Sequence, residues 1–275
     1  MVLSEVDTIR IPFTKLRVIP FNRYEGAFNM ALDFYLAEKN NKTKIPILRL
    51  YGWNPACISL GYHQSSEMIR GNLIDDITIQ CVRRPTGGSA ILHSQELTYS
   101  LIMPSKIIGH KVLYEISHQL MARAFVNFGI DVELHRINKK DNYLKKGADT
   151  FACFNRPAYT EIKYQGKKLV GSAQKILSGS ILQHGSILLD RDQDRIIDYL
   201  AVNDAEKKSY VNELRQKSVA LNEISDKMIN ESELGELIIK EFVEAGVKEI
   251  YYQNPLPEEI EAAMKYMDQF KVRFN

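Results

Sequence analysis

The sequence predicts an α+β fold, with a strand-rich domain followed by a helical C-terminal extension. Short β-like apolar runs dominate up to about residue 190, and helical periodicity dominates beyond it. The composition, 45% hydrophobic and 25% charged over 275 residues, is that of a globular protein large enough for a sizeable core. No Pro/Gly/Ser-rich linker divides the chain. We therefore expect a single domain over 1–275, with a core over about 20–205 and an extension over about 206–275.

Apolar periodicity predicts the elements of the first half. A strand near 15–19 precedes a helix over about 24–38, in which Phe28, Leu32 and Leu36 recur at helical spacing. A second helix is predicted over 110–128, where the apolar residues four apart are Val112, Ile116, Leu120, Ala124 and Phe128. Strands are predicted at 45–53, 56–62, 77–84, 89–94, 96–104 and 130–135, and the pair at 89–94 and 96–104 is close enough in sequence to form neighbours.

The second half begins with a predicted hairpin. The run TEIKYQGKKLVGSA has two strand-like segments around a Gln165-Gly166 turn, and a further strand follows at about 180–190. Helices are then predicted at 191–203, roughly 212–226 and 231–245. Asn230 and Glu233 form a plausible capping pair for the third of these helices. A strand at 248–253 and a helix at about 256–270 complete the chain.

Composition also bounds the classes of function. A net charge of +2 without a polybasic stripe gives no reason to expect nucleic acid or membrane partners, and no Cys/His cluster suggests a metal. No run approaches the roughly 18 apolar residues of a membrane span. The N-terminus lacks the unbroken apolar core of a secretory signal. Three widely spaced cysteines fit a reducing compartment, so we expect a cytoplasmic protein.

The spacing of one cysteine and one lysine in the sequence suggests a nucleophile with a cationic partner. Lys168 follows Cys153 by 15 positions, and the hairpin strand after the turn would carry it toward the loop of Cys153. A thiol attacks as its thiolate, which a nearby ammonium stabilises. Cys57 and Cys81 lie in apolar runs and fit the commoner role of small buried residues. Because side chains alternate along a strand, only one of Lys167 and Lys168 can point inward.

A second candidate site is the turn RRPTGG. Arg83 and Arg84 offer cationic forks for a phosphate or carboxylate, and Gly87-Gly88 permits a close backbone approach. The same residues are also compatible with a surface Arg pair and an ordinary turn. The imidazoles of His93 and His184 either orient a polar group or are satisfied structural side chains.

Several runs carry a family resemblance. RRPTGGSAILHSQELTYSLI, GKKLVGSAQ and ILQHGSILLD, together with YGWNPACISLGYHQ and FNMALD, closely resemble the lipoyl/biotinyl protein ligase catalytic domain over about residues 20–250. Within that family, the pattern C-F-x-x-P-x-x-x-E is similar to the octanoyl-[carrier protein]:protein N-octanoyltransferases of Gram-positive type. The residues of that pattern are Cys153, Phe154, Pro157 and Glu161.

The resemblance implies a fold, an activity and a set of roles. The fold would be a mixed β-sheet with helices packed on its faces and a groove for the acyl chain. Cys153 would form the acyl thioester and Lys168 would lower the pKa of its thiol. The donor would be octanoyl-acyl carrier protein, and the acceptor a lysine of a lipoyl domain, in the glycine-cleavage H protein or a dehydrogenase. No cofactor and no metal would be needed.

The expected substrate-binding residues come from the residue pattern and from the family resemblance together. Gly171 and Ser172 are expected in a tight turn whose backbone N–H groups hold the oxyanion. The complete set is Arg83, Arg84, Gly87, Gly88, His93, Gly171, Ser172 and His184.

Two other functions remain open. An ATP-dependent lipoate–protein ligase would use ATP and Mg²⁺, with Arg83, Arg84 and Gly87-Gly88 on the phosphate and no need of Cys153. In that branch a third glycine often follows, where Ser89 stands here. A non-catalytic lipoyl-domain-binding protein is the second alternative. A biotin ligase is set aside because its usual glycine-rich GRGRxGR-type loop is missing.

Overall fold

The computed structural model describes residues 9–75, 77–136 and 160–274, and Cys153 lies outside these described residues. The largest sheet contains six strands, which are β1 (Lys15–Tyr24), β2 (Ile47–Trp53), β6 (Glu96–Pro104), β10 (Val170–Leu177), β11 (Ser180–Leu188) and β12 (Glu249–Tyr252). Their order is β10-β11-β6-β2-β1-β12. The strands β2, β6, β11 and β10 pair antiparallel, whereas β1 pairs parallel with both β2 and β12. The predicted mixed sheet is confirmed.

Two three-stranded sheets complete the β-structure. One has the order β4-β3-β5 and consists of β3 (Ala56–Leu60), β4 (Ile79–Arg83) and β5 (Ile91–His93). The other has the order β7-β8-β9 and consists of β7 (Glu133–Arg136), β8 (Thr160–Tyr164) and β9 (Lys167–Lys168). The prediction that the strands at 89–94 and 96–104 pair is wrong, because β5 pairs with β3 while β6 pairs with β2 and β11.

Helices cover both faces of the six-stranded sheet. They are α1 (Gly26–Thr43), α2 (His110–Asn127), α3 (Asp204–Lys217), α4 (Glu231–Glu244) and α5 (Pro257–Tyr266). Leu48 and Leu50 of β2 belong to the apolar core that includes α2 and α4, while Tyr51 and Trp53 belong to the core beneath α1. This alternation follows from the two-residue period of a strand. It confirms that helices pack on the faces of a mixed sheet.

Helix α2 has its predicted bounds but a different buried stripe. Val112 is 51% exposed, whereas its neighbour Leu113 is buried. An α-helix has 3.6 residues per turn, so each step of four residues rotates by about 40° beyond a full turn. A line of residues four apart therefore drifts around the helix, and only Leu120 and Ala124 of the predicted series are fully buried.

Two later helix predictions need correction. The helix expected over about 212–226 is α3, which spans Asp204–Lys217 and begins at an Asn203 capping box with Glu206. The segment expected as a helix at 191–203 is a short 3₁₀ segment, Gln193–Tyr199. The Asn230 cap is confirmed, because its side chain accepts a hydrogen bond from the backbone N–H of Glu233 at 2.9 Å.

The C-terminal elements pack into the main body of the protein. Strand β12 forms an edge of the six-stranded sheet, and Ala263 of α5 lies in the same core as α1. Beyond α5, the backbone N–H of Val272 donates to the carbonyl of Cys81 in β4 at 3.1 Å. Among the residues that the structure describes, no helix is both long and apolar enough to span a bilayer.

Candidate active site

A cleft of about 340 Å³, open solvent included, lies between the turn after β4 and the strands β10 and β11. Five of the predicted substrate-binding residues line it, namely Arg84, His93, Gly171, Ser172 and His184. Its apolar lining includes Met30, Tyr51, Trp53 and Ile91. Mostly apolar walls with a few convergent polar groups are typical of a small-molecule site.

The guanidinium of Arg84 forms hydrogen bonds within its own turn and to Ser59. Its Nε and Nη2 donate to the carbonyl of Gly87 at 3.1 and 2.7 Å, and Nη2 also donates to the carbonyl of Ser89 at 2.8 Å. Nη1 donates to the carbonyl and the hydroxyl oxygen of Ser59. These contacts account for all five N–H donors of a guanidinium. In this conformation Arg84 braces the turn, and its predicted role in binding an anion stays a prediction.

The predicted substrate-binding residues Arg83, Gly87 and Gly88 do not line the cleft. Arg83 is half-buried, and its Nη1 donates to the carbonyls of Gly61 and Gln64 at 3.0 and 2.5 Å. Gly88 has φ +95°, which favours glycine, and a Cβ there would lie 2.8 Å from Nη2 of Arg84. Gly87 faces open space, since a Cβ would have no atom within 4 Å. The protein's own packing therefore requires Gly88, while the space at Gly87 is free for a ligand.

His93 is held on both ring nitrogens. Nε2 lies 2.7 Å from the hydroxyl of Ser59 and Nδ1 lies 2.7 Å from Oε1 of Glu96. Its ring stacks on Trp53 with centroids 3.9 Å apart. His93 thus forms a rigid wall of the cleft, and its predicted ligand-orienting role stays a prediction.

His184 belongs to a buried ionic network. Its Nε2 lies 2.7 Å from the Thr86 hydroxyl and its Nδ1 lies 3.3 Å from Asp33, which pairs with Arg49 at 2.7 Å. Burial alone would raise the pKa of Asp33, but the charge of Arg49 and the contact with His184 outweigh it, so the pKa is lowered. Burial lowers the pKa of His184, which keeps this imidazole neutral near pH 7. The network ties α1, β2 and β11 to the RRPTGG turn.

Gly171 and Ser172 lie inside β10, opposite Ser186 and Gly185 of β11. The expected tight turn at these two residues is therefore wrong, because pairing with β11 keeps both extended. The hydroxyl of Ser172 lies 2.8 Å from the Tyr99 hydroxyl and 2.8 Å from Nε2 of His118. The role of Gly171 and Ser172 in holding an oxyanion stays a prediction.

Lys168 points inward, as the alternation of the hairpin predicts. The turn has left-handed backbone at Gln165 (φ 48°) and Gly166 (φ 79°), as a tight hairpin turn requires. The Lys168 side chain is 5% exposed and its Nζ lies 3.1 Å from Oε1 of Glu161. Lys167 is half-buried on the other face. Lys168 also helps to lower the pKa of His118, to about 3, although burial of that imidazole is the larger cause.

The described thiols have the structural role that the sequence indicates. Cys57 and Cys81 are both buried. Burial raises the pKa of Cys81 to about 12 and raises that of Cys57 well above its ordinary value. Neither thiol is ionised near pH 7, so neither is a competent nucleophile.

Three further residues beside the cleft, Asp33, Arg49 and His118, have no role predicted from the sequence. The sequence does carry a signal for Asp33, because the polar residues Asn29, Asp33 and Asn40 interrupt the buried face of α1. His118 lies at a buried position of α2, and its partner Ser172 is 54 positions away. No local pattern links the two.

The comparison with known proteins decides the family. The model of the lipoyl protein ligase A/B catalytic domain matches residues 25–243. The chain belongs to this family. The Octanoyltransferase LipM of Bacillus subtilis (strain 168) is 36% identical over 243 residues, which are 84% of this chain and 86% of that protein. The protein of the same name from Brevibacillus brevis is 36% identical over 239 residues, or 82% of this chain and 85% of that protein.

Solved structures agree with the fold of the lipoyl protein ligase A/B family. A bi-partite lipoate protein ligase from Thermoplasma acidophilum, solved in a study of an archaeal lipoylation system and its E2 lipoyl domain, gives a TM-score of 0.72 at 19% identity. The match covers 94% of this chain and 93% of that chain. At this identity the likeness supports the fold alone. The predicted enzyme class, an acyltransferase, is confirmed by the relatives named above.

Proposed function

We propose that this chain transfers an octanoyl group from octanoyl-acyl carrier protein to a lysine of a lipoyl domain, through an acyl thioester on Cys153. The observation that carries the proposal is Lys168, the lysine of the family's motif, which is 5% exposed and held by Glu161 at 3.1 Å. A buried and fixed ammonium is suited to stabilising a thiolate or an oxyanion.

The proposed reaction has two steps. The Cys153 thiolate attacks the thioester carbonyl of the donor, and the carrier protein leaves as its own thiolate, which takes up a proton. The neutral ε-amine of the acceptor lysine then attacks the enzyme thioester, its nitrogen releases a proton to solvent as the amide forms, and Cys153 leaves as a thiolate. The first exchange is nearly isoenergetic and the second is downhill, so the reaction requires neither ATP nor a metal.

Elimination among the thiols supports Cys153 as the nucleophile. The chain has three cysteines, and two of them, Cys57 and Cys81, are buried with raised pKa values. Thioester chemistry in this chain therefore depends on Cys153. A nucleophile of this kind must stay reduced, which agrees with the proposed cytoplasmic location.

The cleft supports an acyl substrate. Its apolar walls are formed in part by Met30, Trp53 and Ile91, and its enclosed volume is about 20 Å³, so these walls must move apart to bury an octanoyl chain. Each methylene buried in this way contributes about 0.8 kcal/mol. Ser172 lies at this cleft and is linked through His118 to the neighbourhood of Lys168. The acyl carbonyl would thus lie between the cleft and the ammonium of Lys168.

A ligase that activates free acid with ATP is the alternative that needs a phosphate site. The five N–H groups of Arg84 are used on Gly87, Ser89 and Ser59, which leaves this residue without a free donor for a phosphate. This arrangement argues against a phosphate contact by Arg84, whereas Arg83 and Gly87-Gly88 remain compatible with the ligase. ATP and Mg²⁺ are expected only if the ligase is correct.

ATP dependence tests the proposal. Purified protein is incubated with octanoyl carrier protein and an unmodified lipoyl domain, after ATP has been removed enzymatically, and the mass of the lipoyl domain is measured. We expect an octanoyl amide on the acceptor in this mixture. Modification only with ATP and free octanoate would establish the ligase, and binding of the domain without any modification would establish the non-catalytic binding protein.

A further inference from the structure

The β8–β9 hairpin places two lysines directly opposite each other. Lys163 of β8 pairs in register with Lys168 of β9, so both side chains extend from the same face. Like charges directly opposite destabilise a strand pair. The hairpin therefore needs a negative group at this place.

Glu161 supplies that negative group and contacts both lysines. Its Oε1 lies 3.1 Å from Nζ of Lys168 and its Oε2 lies 2.9 Å from Nζ of Lys163. It precedes Lys163 by two positions, which puts it on the same face of β8. Burial would raise its pKa, but the two ammonium groups outweigh burial and lower it, so Glu161 is ionised near pH 7.

The side chains of Glu161, Lys163 and Lys168 together carry one unit of net positive charge, and they differ in exposure. The Glu161 and Lys168 side chains are 4% and 5% exposed, whereas Lys163 is 24% exposed. Without Lys163, Glu161 and Lys168 would form a buried pair with no net charge. A neutral pair stabilises an approaching anion far less than a net cation does.

We infer that Lys163 is a positioning residue of the active site, which binds one oxygen of Glu161 and so keeps the positive charge of Lys168 available to the reacting thiolate. The inference rests on the proposed function, because it acts through Lys168 on Cys153. Lys163 itself need not touch the substrate.

Other charged groups around the cluster are weaker influences. Strand β7 places Glu133 directly opposite Lys163 and His135 directly opposite Glu161. Both side chains are about half-exposed, and they contact each other at 2.7 Å. Solvent screens such exposed charges. From α2, His118 faces Lys168 with its pKa lowered to about 3, mainly by burial, and is neutral. The end of α3 carries the Lys217–Glu213 pair at the surface.

The test is the rate of alkylation of Cys153 by iodoacetamide as a function of pH, followed by peptide mass. In Lys163→Met we expect about a three- to tenfold slower reaction at pH 7, because the pKa of the thiol rises by up to about one pH unit. Lys163→Arg keeps the charge and should react like the wild type. Lys167→Met is the matched control, since it removes the same charge from the same hairpin on the opposite face.

A double variant separates charge from simple structural support. Glu161→Gln with Lys163→Met again leaves one net positive charge, so its pH profile should return toward that of the wild type. Equal profiles for Lys163→Met and Lys167→Met, or a double variant as slow as Lys163→Met, would overturn the inference. Lys168→Met distinguishes failure of the proposed function from failure of the inference about Lys163. If it leaves the profile unchanged, the proposed Cys–Lys pairing itself fails, whereas an effect of Lys168→Met without one of Lys163→Met contradicts the inference alone.

Discussion

At the scale of single residues, His118 couples the candidate active site to the stability of the fold. Its Nε2 contacts the Ser172 hydroxyl, and its ring packs edge-on against Tyr114 with centroids 4.4 Å apart. The pKa of His118 is lowered to about 3, chiefly by burial and then by the charge of Lys168. The folded protein thus keeps this imidazole neutral where the unfolded chain would protonate it.

The free energy of unfolding should therefore decrease as the pH is lowered. An unfolded histidine binds a proton below about pH 6.5, whereas folded His118 binds one only near pH 3, so this contribution to folding is lost progressively as pH falls from about 6.5 toward 3. The slope from this residue is at most about 1.4 kcal/mol per pH unit. His118→Gln should flatten the dependence of the unfolding free energy between pH 6 and 4, measured by urea denaturation. The exposed His110→Gln on the same helix should leave the slope unchanged, and identical slopes for both variants would contradict the assignment.

Site residues differ in how far the sequence predicts them. Lys168 could be placed inward because strand alternation and the family's motif agree on it. The sequence places Arg84 at the site, but it does not predict that Arg84 holds the turn in place. The reason is that its partners are carbonyls of the turn and the carbonyl of Ser59, which is 25 positions away. Asp33 and Arg49 pair across 16 positions between a helix and a strand, and only the fold brings them together.

At the scale of elements, the ladder of β10 and β11 forms one wall of the cleft. Gly185 of β11 lies opposite Ser172, where the two strands and Tyr99 approach closely. A Cβ on Gly185 would lie 2.6 Å from the Ser172 hydroxyl, 2.7 Å from the Gly171 carbonyl and 2.7 Å from the Tyr99 ring. Only glycine fits without a shift of the ladder.

Gly185→Ala should therefore lower both the stability and the acyl transfer of the protein, although it adds only one methyl group. Overpacking at such a site costs about 1–3 kcal/mol, and the displaced Ser172 should lower acyl transfer by at least tenfold. The unfolding free energy and the rate of lipoyl-domain modification measure the two effects. Gly109→Ala is the control, since a Cβ there meets nothing within 4 Å, and a similar loss in both variants would refute the packing argument.

Local signals predict some elements and miss others for identifiable reasons. The Gln165-Gly166 turn is predictable from Gly166, because glycine adopts positive φ at no steric cost, and Gln165 adopts positive φ as well. The run KKLVGSAQKIL reads as one strand, yet it divides at Leu169, where β9 ends its pairing with β8 and β10 begins pairing with β11. The helix predicted over roughly 212–226 begins and ends too late, because α3 starts at the Asn203 cap and residues 219–221 lie beyond its end.

At the scale of the whole molecule, the C-terminal segment closes the fold. Strand β12 pairs in parallel with β1, from Lys15↔Glu249 to Val18↔Tyr252. Arg17 of β1 forms a two-pronged ion pair with Glu259 of α5 at 2.6 and 2.7 Å. These contacts join residues more than 230 positions apart. Periodicity predicts such elements but not which distant strand each will join.

Truncation at the predicted boundary tests whether the chain is one cooperative unit. A chain of residues 1–205 lacks α4, β12, α5 and all but the first two residues of α3. It therefore exposes apolar surface of both cores and the edge of β1. We expect it to aggregate or to lack a cooperative unfolding transition by circular dichroism and gel filtration. A monomeric truncated chain with a sharp transition would show instead that the core over 20–205 folds by itself.

The central claim is that Cys153 carries the octanoyl group. The most direct measurement is the intact mass of the protein after incubation with octanoyl carrier protein without ATP, with Cys153→Ala in parallel. We predict one octanoyl adduct on the wild type, none on the variant, and loss of the adduct when a lipoyl domain is added. An adduct on both proteins, or lipoyl-domain modification by Cys153→Ala at the rate of the wild type, would contradict the account.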